Sequence, residues 1–543
     1  MVKKIKYLLF FVLGLLVSLN AAAQKKTIEQ RVDSVLKMMT LDEKVGQMNQ
    51  YNGDWAATGP ITNDGDKQSQ IRAGAVGSML NVTGVAHTRA LQQMAMQSRL
   101  KIPLLFGQDV IHGYKTTFPV PLGEAASWNL EAIERSARIA AIEAASSGIH
   151  WTFAPMVDIA RDPRWGRVME GAGEDPYLGS LIARARVKGF QGKGLGNTDA
   201  VMACVKHFAA YGAAIGGRDY NAVDMSLQTL WEIYLPPFKA ALDAGVSTFM
   251  NSFNDINGTP ATASSYLLTD VLKGKWHFDG FVVSDWGSVG EMVPHGFVKN
   301  NAEAAEKAIN AGTDMDMESR SYIENLAVLV KENKVKMAQI NEAVKRILRK
   351  KFELGLFEDP YRFNNSAREK KTLNHPSHLQ AALDMGRKSI VLLKNEGQVL
   401  PLSKTLKSLA LIGPLVKAEK DMKGFWAVDL GQKNDVVSLY TGMEKQAGST
   451  RLLYSKGCAI DDTSRAGFSH AVQTALEADV VVMAMGESHD MTGEAKSKSN
   501  IHLPGIQEDL IKAIMATGKP VVVLLMSGRP MVFNWTAANV PAI

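Results

Sequence analysis

Between residues 74 and 317 the chain alternates short apolar runs with longer stretches rich in Ala, Glu and Leu. The runs are GAVGSML (74–80), IPLLFGQDV (102–110), HWTFAPMVD (150–158), VMACVKHF (201–208), STFMNSFN (247–254), GFVVSDW (280–286) and GTDMDM (312–317). Apolar runs this short predict strands buried on both faces. The intervening segments, such as LEAIERSARIAAIEAASSG and NAEAAEKAINAG, predict helices. Alternation of this kind implies parallel strands joined by crossover helices. Seven or eight such units over about 300 residues suit a (β/α)₈ barrel better than an open sheet. Ahead of them, Thr40 with Glu43 in MTLDEKVGQM predicts a capped helix start. The last helix is expected in QINEAVKRILRKKFELG, where Ile340, Val344, Ile347 and Leu348 share one face and Gly355 ends it.

A second region carries SIVLLKN, LALIG, VVVMAMG and PVVVLLMSG, again expected as buried strands among helices. The polar stretch between the two regions, with two prolines, reads as a linker running into a helix. The expected organisation is a barrel over 24–358, a linker over 359–385 and an α/β sandwich domain over 386–543. The chain stops at VPAI just after a Gly-Arg-Pro turn, so the second domain is expected to be incomplete at its C-terminus.

The first residues, MVKKIKYLLFFVLGLLVSLNAAAQ, change where this fold is placed. A basic start, an apolar stretch too short for a membrane span and Ala21-Ala22-Ala23 read as a secretory signal peptide over 1–23. Its removal takes away three lysines and no acids, lowering the formal net charge from +6 to +3. That is too little for the basic footprint of a nucleic-acid binder. With only Cys204 and Cys458, the chain has neither a disulfide framework nor a cysteine zinc set. A periplasmic protein without membrane insertion after cleavage is the expectation; oligomeric state is open.

The candidate chemistry lies where the apolar runs end. In GFVVSDWGS a buried strand finishes in Asp285 and Trp286. Alone, such an aspartate reads first as a helix N-cap. The same pattern recurs, however, at Asp109, at Asp158 and Arg161, at Lys206 and His207, at Asn251 and Asn254, and at Asp314 and Asp316. In a barrel these ends converge on the face that carries active sites. Carboxylates, cations and a tryptophan suit a polyhydroxylated ligand: carboxylates accept from hydroxyls, cations donate to them, and an aromatic face packs on C–H edges. Asp314, Asp316 and Glu318 alternate and have the chemistry for a hard cation, but solvated or hydrogen-bonded carboxylates are the expectation, so no metal and no cofactor is assigned. GFQGKGLGNT precedes a strand instead of following one, and reads as a helix stop rather than a phosphate loop.

Taken together, GQDVIHGY, FAPMVDIARDPRWGRVMEGAGEDP, KHFAAYG, GRDYN, SFNDINGTPAT, GFVVSDWG and MGESHDMTGEAKSKSNIHLPGIQ resemble glycoside hydrolase family 3, and within it the periplasmic β-glucosidases. The resemblance spans nearly the whole chain after residue 23. It implies a barrel paired with an α/β sandwich and hydrolysis of terminal β-D-glucosyl residues with retention, through a covalent glycosyl-enzyme. It implies that Asp285 is the nucleophile and that Asp109, Arg167, Lys206, His207 and Trp286 bind the sugar, with Arg161 and Arg218 as further matches. The acid/base is expected from the second domain, at Glu494 of TGE, with Glu487 of MGE as the alternative.

Other readings stay open at this stage. A β-xylosidase of the same family fits the same residues. A β-N-acetylglucosaminidase of the family would carry its acid/base histidine on the loop after KHF, and AAYGAAIGGRDYN has none. A non-catalytic periplasmic glycan-binding protein on an enzyme scaffold is a third.

Overall fold

The computed structural model describes residues 26–53, 66–373, 375–428 and 436–543. The expected signal peptide lies outside them. Among the described residues no helix is long and apolar enough to cross a membrane.

Eight parallel strands form the first domain. In chain order they are β1 (Asn49–Asn52), β2 (Ser78–Leu80), β3 (Leu105–Gln108), β4 (Trp151–Thr152), β5 (Met202–Phe208), β6 (Thr248–Asn251), β9 (Phe281–Val283) and β10 (Asp316–Met317), with a small hairpin, β7 (Asp255–Ile256) and β8 (Thr259–Pro260), following β6. The sheet order is β10-β1-β2-β3-β4-β5-β6-β9, and a bridge between Val283 and Met315 joins β9 to the approach of β10, closing the barrel. All eight are buried along their length, so their apolar character needs no alternation. Trp151 fills the interior, its Nε1 donating to Thr248 Oγ1 at 2.8 Å and its ring meeting Phe153 and Phe281 edge-on.

Seven of the eight strands fall in the expected apolar runs. The eighth, β1, reads NQYN and has no apolar run to announce it. Its side chains are nonetheless all buried, with donors engaged by several surrounding elements: Gln50 Nε2 donates to Ser78 Oγ of β2 at 2.8 Å, Tyr51 OH to Gln70 Oε1 at 2.7 Å and Asn49 Nδ2 to Ala75 O at 3.2 Å. The helix after Thr40 starts with the expected reciprocal cap, Thr40 and Glu43 each holding the other's backbone N–H. The final barrel helix, Met337–Glu353, buries Ile340, Val344, Ile347 and Leu348, and Gly355 follows at φ 70°, a left-handed conformation suited to glycine.

Residues 359–385, expected as a linker, are largely helical. Helix Ser366–Thr372 packs on the barrel helix Leu130–Ser146, and helix Pro376–Ser389 on that helix and on Pro121–Ala126. The second domain is a four-stranded parallel sheet in the order β12 (Arg451–Ser455), β11 (Ser408–Ile412), β13 (Val480–Gly486), β14 (Val521–Met526). Alternate residues feed two cores: Ala410, Ile412, Val481 and Met483 on one face, Leu409, Leu411, Val480 and Val482 on the other. Helices cover both faces, which makes the α/β sandwich. SIVLLKN, expected as a strand, does not join this sheet. Ile390–Leu393 is exposed and contacts the last residues instead, Leu393 N donating to Ile543 O at 2.9 Å.

Candidate active site

Because all eight barrel strands run the same way, their C-terminal ends open on one face. A cavity of about 480 Å³ lies there, within the range for a small-molecule site. Asp109 enters it from the end of β3, Lys206 from β5, and Asp285 and Trp286 from just beyond β9. Arg167 comes from a 3₁₀ turn, Gly166–Glu170, that follows β4. The second domain contributes Glu494 and a segment with Phe425 and Trp426. One wall is therefore barrel and the other is not.

The charges are tightly coupled. Arg167 is almost fully buried and pairs with Glu170, Nε to Oε2 at 2.6 Å, while its Nη1 lies 3.4 Å from Glu494 Oε1. Lys206 Nζ donates to Asp109 Oδ1 at 3.1 Å and is 3.7 Å from Glu170. Burial opposes a charge on Glu170, yet Arg167 and Lys206 outweigh it and hold this carboxyl below its ordinary range. For Lys206 burial pulls the other way, and Asp109 and Glu170 keep the ammonium charged.

Asp285 is incompletely compensated, its Oδ2 having no hydrogen-bond partner among the described residues. Its N–H donates to Asn251 Oδ1 at 3.2 Å and its Oδ1 accepts from Trp286 N at 2.7 Å, which fixes the side chain at the strand end. Burial pushes its pKa up to about 8; the nearby Glu494 adds to this, while Arg167, Lys206 and the Trp286 N–H oppose it. A carboxyl whose native pKa exceeds its unfolded value costs stability once the unfolded chain ionises, from about pH 4 upward, and the cost levels off above about pH 8. Asp285→Asn is accordingly expected to melt about 2 °C or more above the unsubstituted protein near pH 8, with the gap closing toward pH 4. Thermal scans at the two pH values measure this, and a lower midpoint for the variant at pH 8 contradicts it.

His207 departs from its expected position. It is fully buried and does not line the cavity; its Nδ1 is 2.8 Å from Asp158 Oδ2 and its Nε2 3.3 Å from Asp285 Oδ2. Burial, followed by Arg167 and Lys206, drives its pKa well below the ordinary value, so the ring is neutral. It stands behind Asp285, hydrogen-bonded through its own N–H and Nδ1 to Asp158, whose own pKa burial raises to about 7.

Two expected sugar-binding arginines are outside the cavity. Arg161 is exposed and borders a separate surface depression with Asp224 and Tyr234, because the chain turns into the barrel mouth only at the 3₁₀ turn that begins at Gly166. Arg218 is exposed and bonds locally to Ile215 O and Asn221 Oδ1, held outward by the left-handed turn at Gly216 and Gly217.

The two glutamates of the second domain separate clearly. Glu494 lines the cavity with its side chain 22% exposed. Glu487, the alternative acid/base, is buried away from the cavity. It accepts from Thr492 Oγ1, Ser527 Oγ and Lys498 Nζ at 2.7, 2.8 and 3.0 Å, with Arg529 Nε at 3.4 Å. Burial works against its charge, but these donors hold its carboxyl below the usual range. Arg529 in turn binds Pro163 O and Arg164 O of the barrel and Met491 O and Lys496 O of the loop carrying Glu494. Arg529, paired with Glu487, thus staples that loop to the barrel.

Asp314, Asp316 and Glu318 are engaged by protein donors. Asp314 bonds Lys273 Nζ and Val282 N, Asp316 bonds Ser319 Oγ and Tyr322 N, and Glu318 bonds Asn52 N. Sequence reasoning missed Glu170, Tyr220, Phe253, Glu291, Phe425 and Trp426. Glu170 sits three residues after Arg167, the spacing of a 3₁₀ turn. The pair Phe425-Trp426 stands out only as aromatics in the otherwise polar stretch KAEKDMKGFW.

A barrel-mouth cavity with a carboxylate from each domain, paired cations and aromatic walls has the form of a sugar-processing site. The chain belongs to glycoside hydrolase family 3, and is a glycoside hydrolase: residues 40–350 match the Glycosyl hydrolase family 3 N terminal domain and residues 390–543 the C-terminal domain. A periplasmic beta-glucosidase of Salmonella typhimurium is 42% identical over 525 residues, covering 92% of this chain and 68% of that protein. A beta-xylosidase of Formosa agariphila is 35% identical over 535 residues, covering 95% of this chain and 69% of that protein. Among solved structures, a mutant beta-glucosidase of Listeria innocua in complex with laminaribiose matches with a TM-score of 0.89 at 38% identity, over 94% of this chain and 71% of that one.

Proposed function

We propose that this glycoside hydrolase is an exported, periplasmic β-glucosidase that releases terminal non-reducing β-D-glucosyl residues with retention. The carrying observation is that one cavity holds Asp285, fixed at a barrel strand end, and Glu494, delivered by the second domain. Retention needs a carboxylate below the anomeric carbon and a protonated carboxyl above the leaving oxygen, roughly 5 Å apart. Asp285 is the nucleophile and Glu494 the acid/base. Asp109, Arg167, Lys206 and Trp286 hold the glucosyl hydroxyls and ring, and His207 orients Asp285 from behind. Export rests on residues 1–23 as a signal peptide; the barrel is assigned to 24–358 and the sandwich to 386–543, with the intervening helices as their connection.

In the first step a carboxylate oxygen of Asp285 attacks C1 while Glu494 protonates the departing glycosidic oxygen, leaving an α-linked glucosyl ester. In the second, Glu494 takes a proton from water, which attacks C1 from the opposite side and frees Asp285. Charge on Asp285 is costly in the empty site, and positive charge developing on the sugar ring relieves that cost only as the transition state is approached.

Purified protein is expected to hydrolyse p-nitrophenyl β-D-glucopyranoside and laminaribiose, with kcat/KM for the glucoside at least about 10-fold above that for the matching β-xyloside, the discrimination that hydrogen bonding to one additional hydroxymethyl group can supply. A reversed ratio makes the protein a β-xylosidase, in line with its Formosa relative. No turnover of either by folded protein removes the catalytic reading.

A further inference from the structure

The loop that follows β5, GRDYN, meets the loop that carries Glu494. Tyr220 OH donates to Glu494 Oε1 at 2.7 Å. Its neighbour Asp219 grips the same loop one residue further on. Asp219 Oδ2 accepts from Ala495 N at 2.7 Å, Oδ1 accepts from Trp165 Nε1 at 2.9 Å, and Asp219 N donates to Ser497 Oγ at 2.9 Å. The two loops come from different domains and are some 270 residues apart, so neither the bond to Glu494 nor the grip on Ala495 exists unless the domains are docked.

The backbone supports a specific purpose for this contact. Tyr220 lies at φ 60° and Ala495 at φ 57°, so a non-glycine residue on each side occupies the left-handed region. Such conformations cost free energy and persist where surrounding structure imposes them, which is most often at functional sites. The Tyr220 ring is also braced: it packs edge-on against Phe253, centroids 5.2 Å apart at 88°, and lies 6.5 Å from Tyr211. A braced phenol with its oxygen on a carboxylate leaves that carboxylate few other positions. Glu494 Oε1 is held between Tyr220 and the more distant Arg167, while no bond to Oε2 is seen among the described residues.

We propose that Tyr220, with Asp219 anchoring the loop behind it, is the positioning residue for the acid/base Glu494, holding one carboxylate oxygen so that the other points at the glycosidic oxygen. The inference rests on the assignment of Glu494 made above and adds to it the group that aims it. Burial and the charge of Glu494 both raise the Tyr220 pKa, so the phenol keeps its proton and remains a donor.

Tyr220→Phe removes the hydroxyl and keeps the ring. On the full chain, kcat/KM for laminaribiose is expected to fall about 10- to 100-fold, the loss of one hydrogen bond to a charged group. For 2,4-dinitrophenyl β-D-glucopyranoside, whose phenolate leaves without a proton, kcat/KM should fall less than about 3-fold. In a Glu494→Ala background, adding Tyr220→Phe should change kcat/KM for laminaribiose less than about 2-fold, since a residue acting through another has nothing left to act on. Asp219→Asn, which disturbs the anchor and leaves the phenol, should show the same leaving-group pattern at smaller size. An equal loss on both substrates, or full additivity with Glu494→Ala, overturns the proposal and puts Tyr220 on the sugar or in the fold. If Glu494→Ala shows the leaving-group pattern and Tyr220→Phe does not, the positioning role alone fails. If Glu494→Ala shows no such pattern, the assignment of Glu494 fails and this inference with it.

Discussion

Asp285→Gly is expected to lower turnover of an aryl β-glucoside by roughly 10⁴- to 10⁶-fold, since no other group can form the glycosyl ester. Asp285 is held by Asn251 and by the Trp286 N–H, and His207 closes its far side. None of these can substitute: Asn251 is an amide, and the His207 ring is buried and already engaged with Asp158. The glycine leaves a space beneath the sugar large enough for a small anion. Added azide should restore part of the rate and yield the α-glucosyl azide, opposite in configuration to the substrate. Product analysis by NMR checks the configuration. Turnover near that of the unsubstituted protein, or a β-azide, removes Asp285 from the role of nucleophile.

Glu494→Ala should sort substrates by their leaving groups. Laminaribiose, whose leaving alcohol needs a proton, is expected to lose about 10³-fold in kcat/KM. A dinitrophenyl glucoside should form the glucosyl ester almost unimpaired and then stall, because the base that activates water is gone. Stopped-flow absorbance should show a burst of phenolate, and the apparent KM should fall as the ester accumulates. Azide should here give the β-glucosyl azide, since it attacks the ester from the face that water would have used. Glu487→Ala has a different expected effect. It leaves Arg529 and Lys498 without their carboxylate, and a broken buried pair costs about 3 kcal/mol or more, so the variant should be less stable without a leaving-group pattern. A burst in Glu487→Ala and none in Glu494→Ala would exchange the two roles.

The contrast between these glutamates shows what a local sequence can carry. MGE and TGE lie seven residues apart on one loop and have the same chemistry. Nothing in either triplet says that Glu487 turns inward to Thr492, Ser527 and Arg529, or that Glu494 turns toward the barrel. The same limit applies to the arginines. Arg161, Arg167 and Arg218 all sit in polar segments after strands, and only Arg167 is on the turn that folds into the barrel mouth.

The barrel itself was legible, because a strand buried on both faces must be apolar throughout, and such runs recur with helices between them. The exception, β1, is polar because its donors find acceptors on the surrounding fold, at Ser78 of β2, Gln70 of a helix and the Ala75 carbonyl, a fact held by the tertiary structure and not by NQYN. SIVLLKN is the reverse case, apolar in sequence and outside the sheet in structure. The strand-end residues Asp109, Lys206 and Asp285 could be named in advance, since parallel strands deliver their C-terminal ends to one face whatever the loops do. The second wall could not be placed in that way. Tyr220 with Glu494, and the docked segment with Phe425 and Trp426, meet the barrel residues across hundreds of positions of chain, through contacts between two separately folded domains. Periodicity is a property of each domain's own core and reports which residues are buried in it. The docking of one core on another depends on surface shape and on single hydrogen bonds, which leave no period in the sequence.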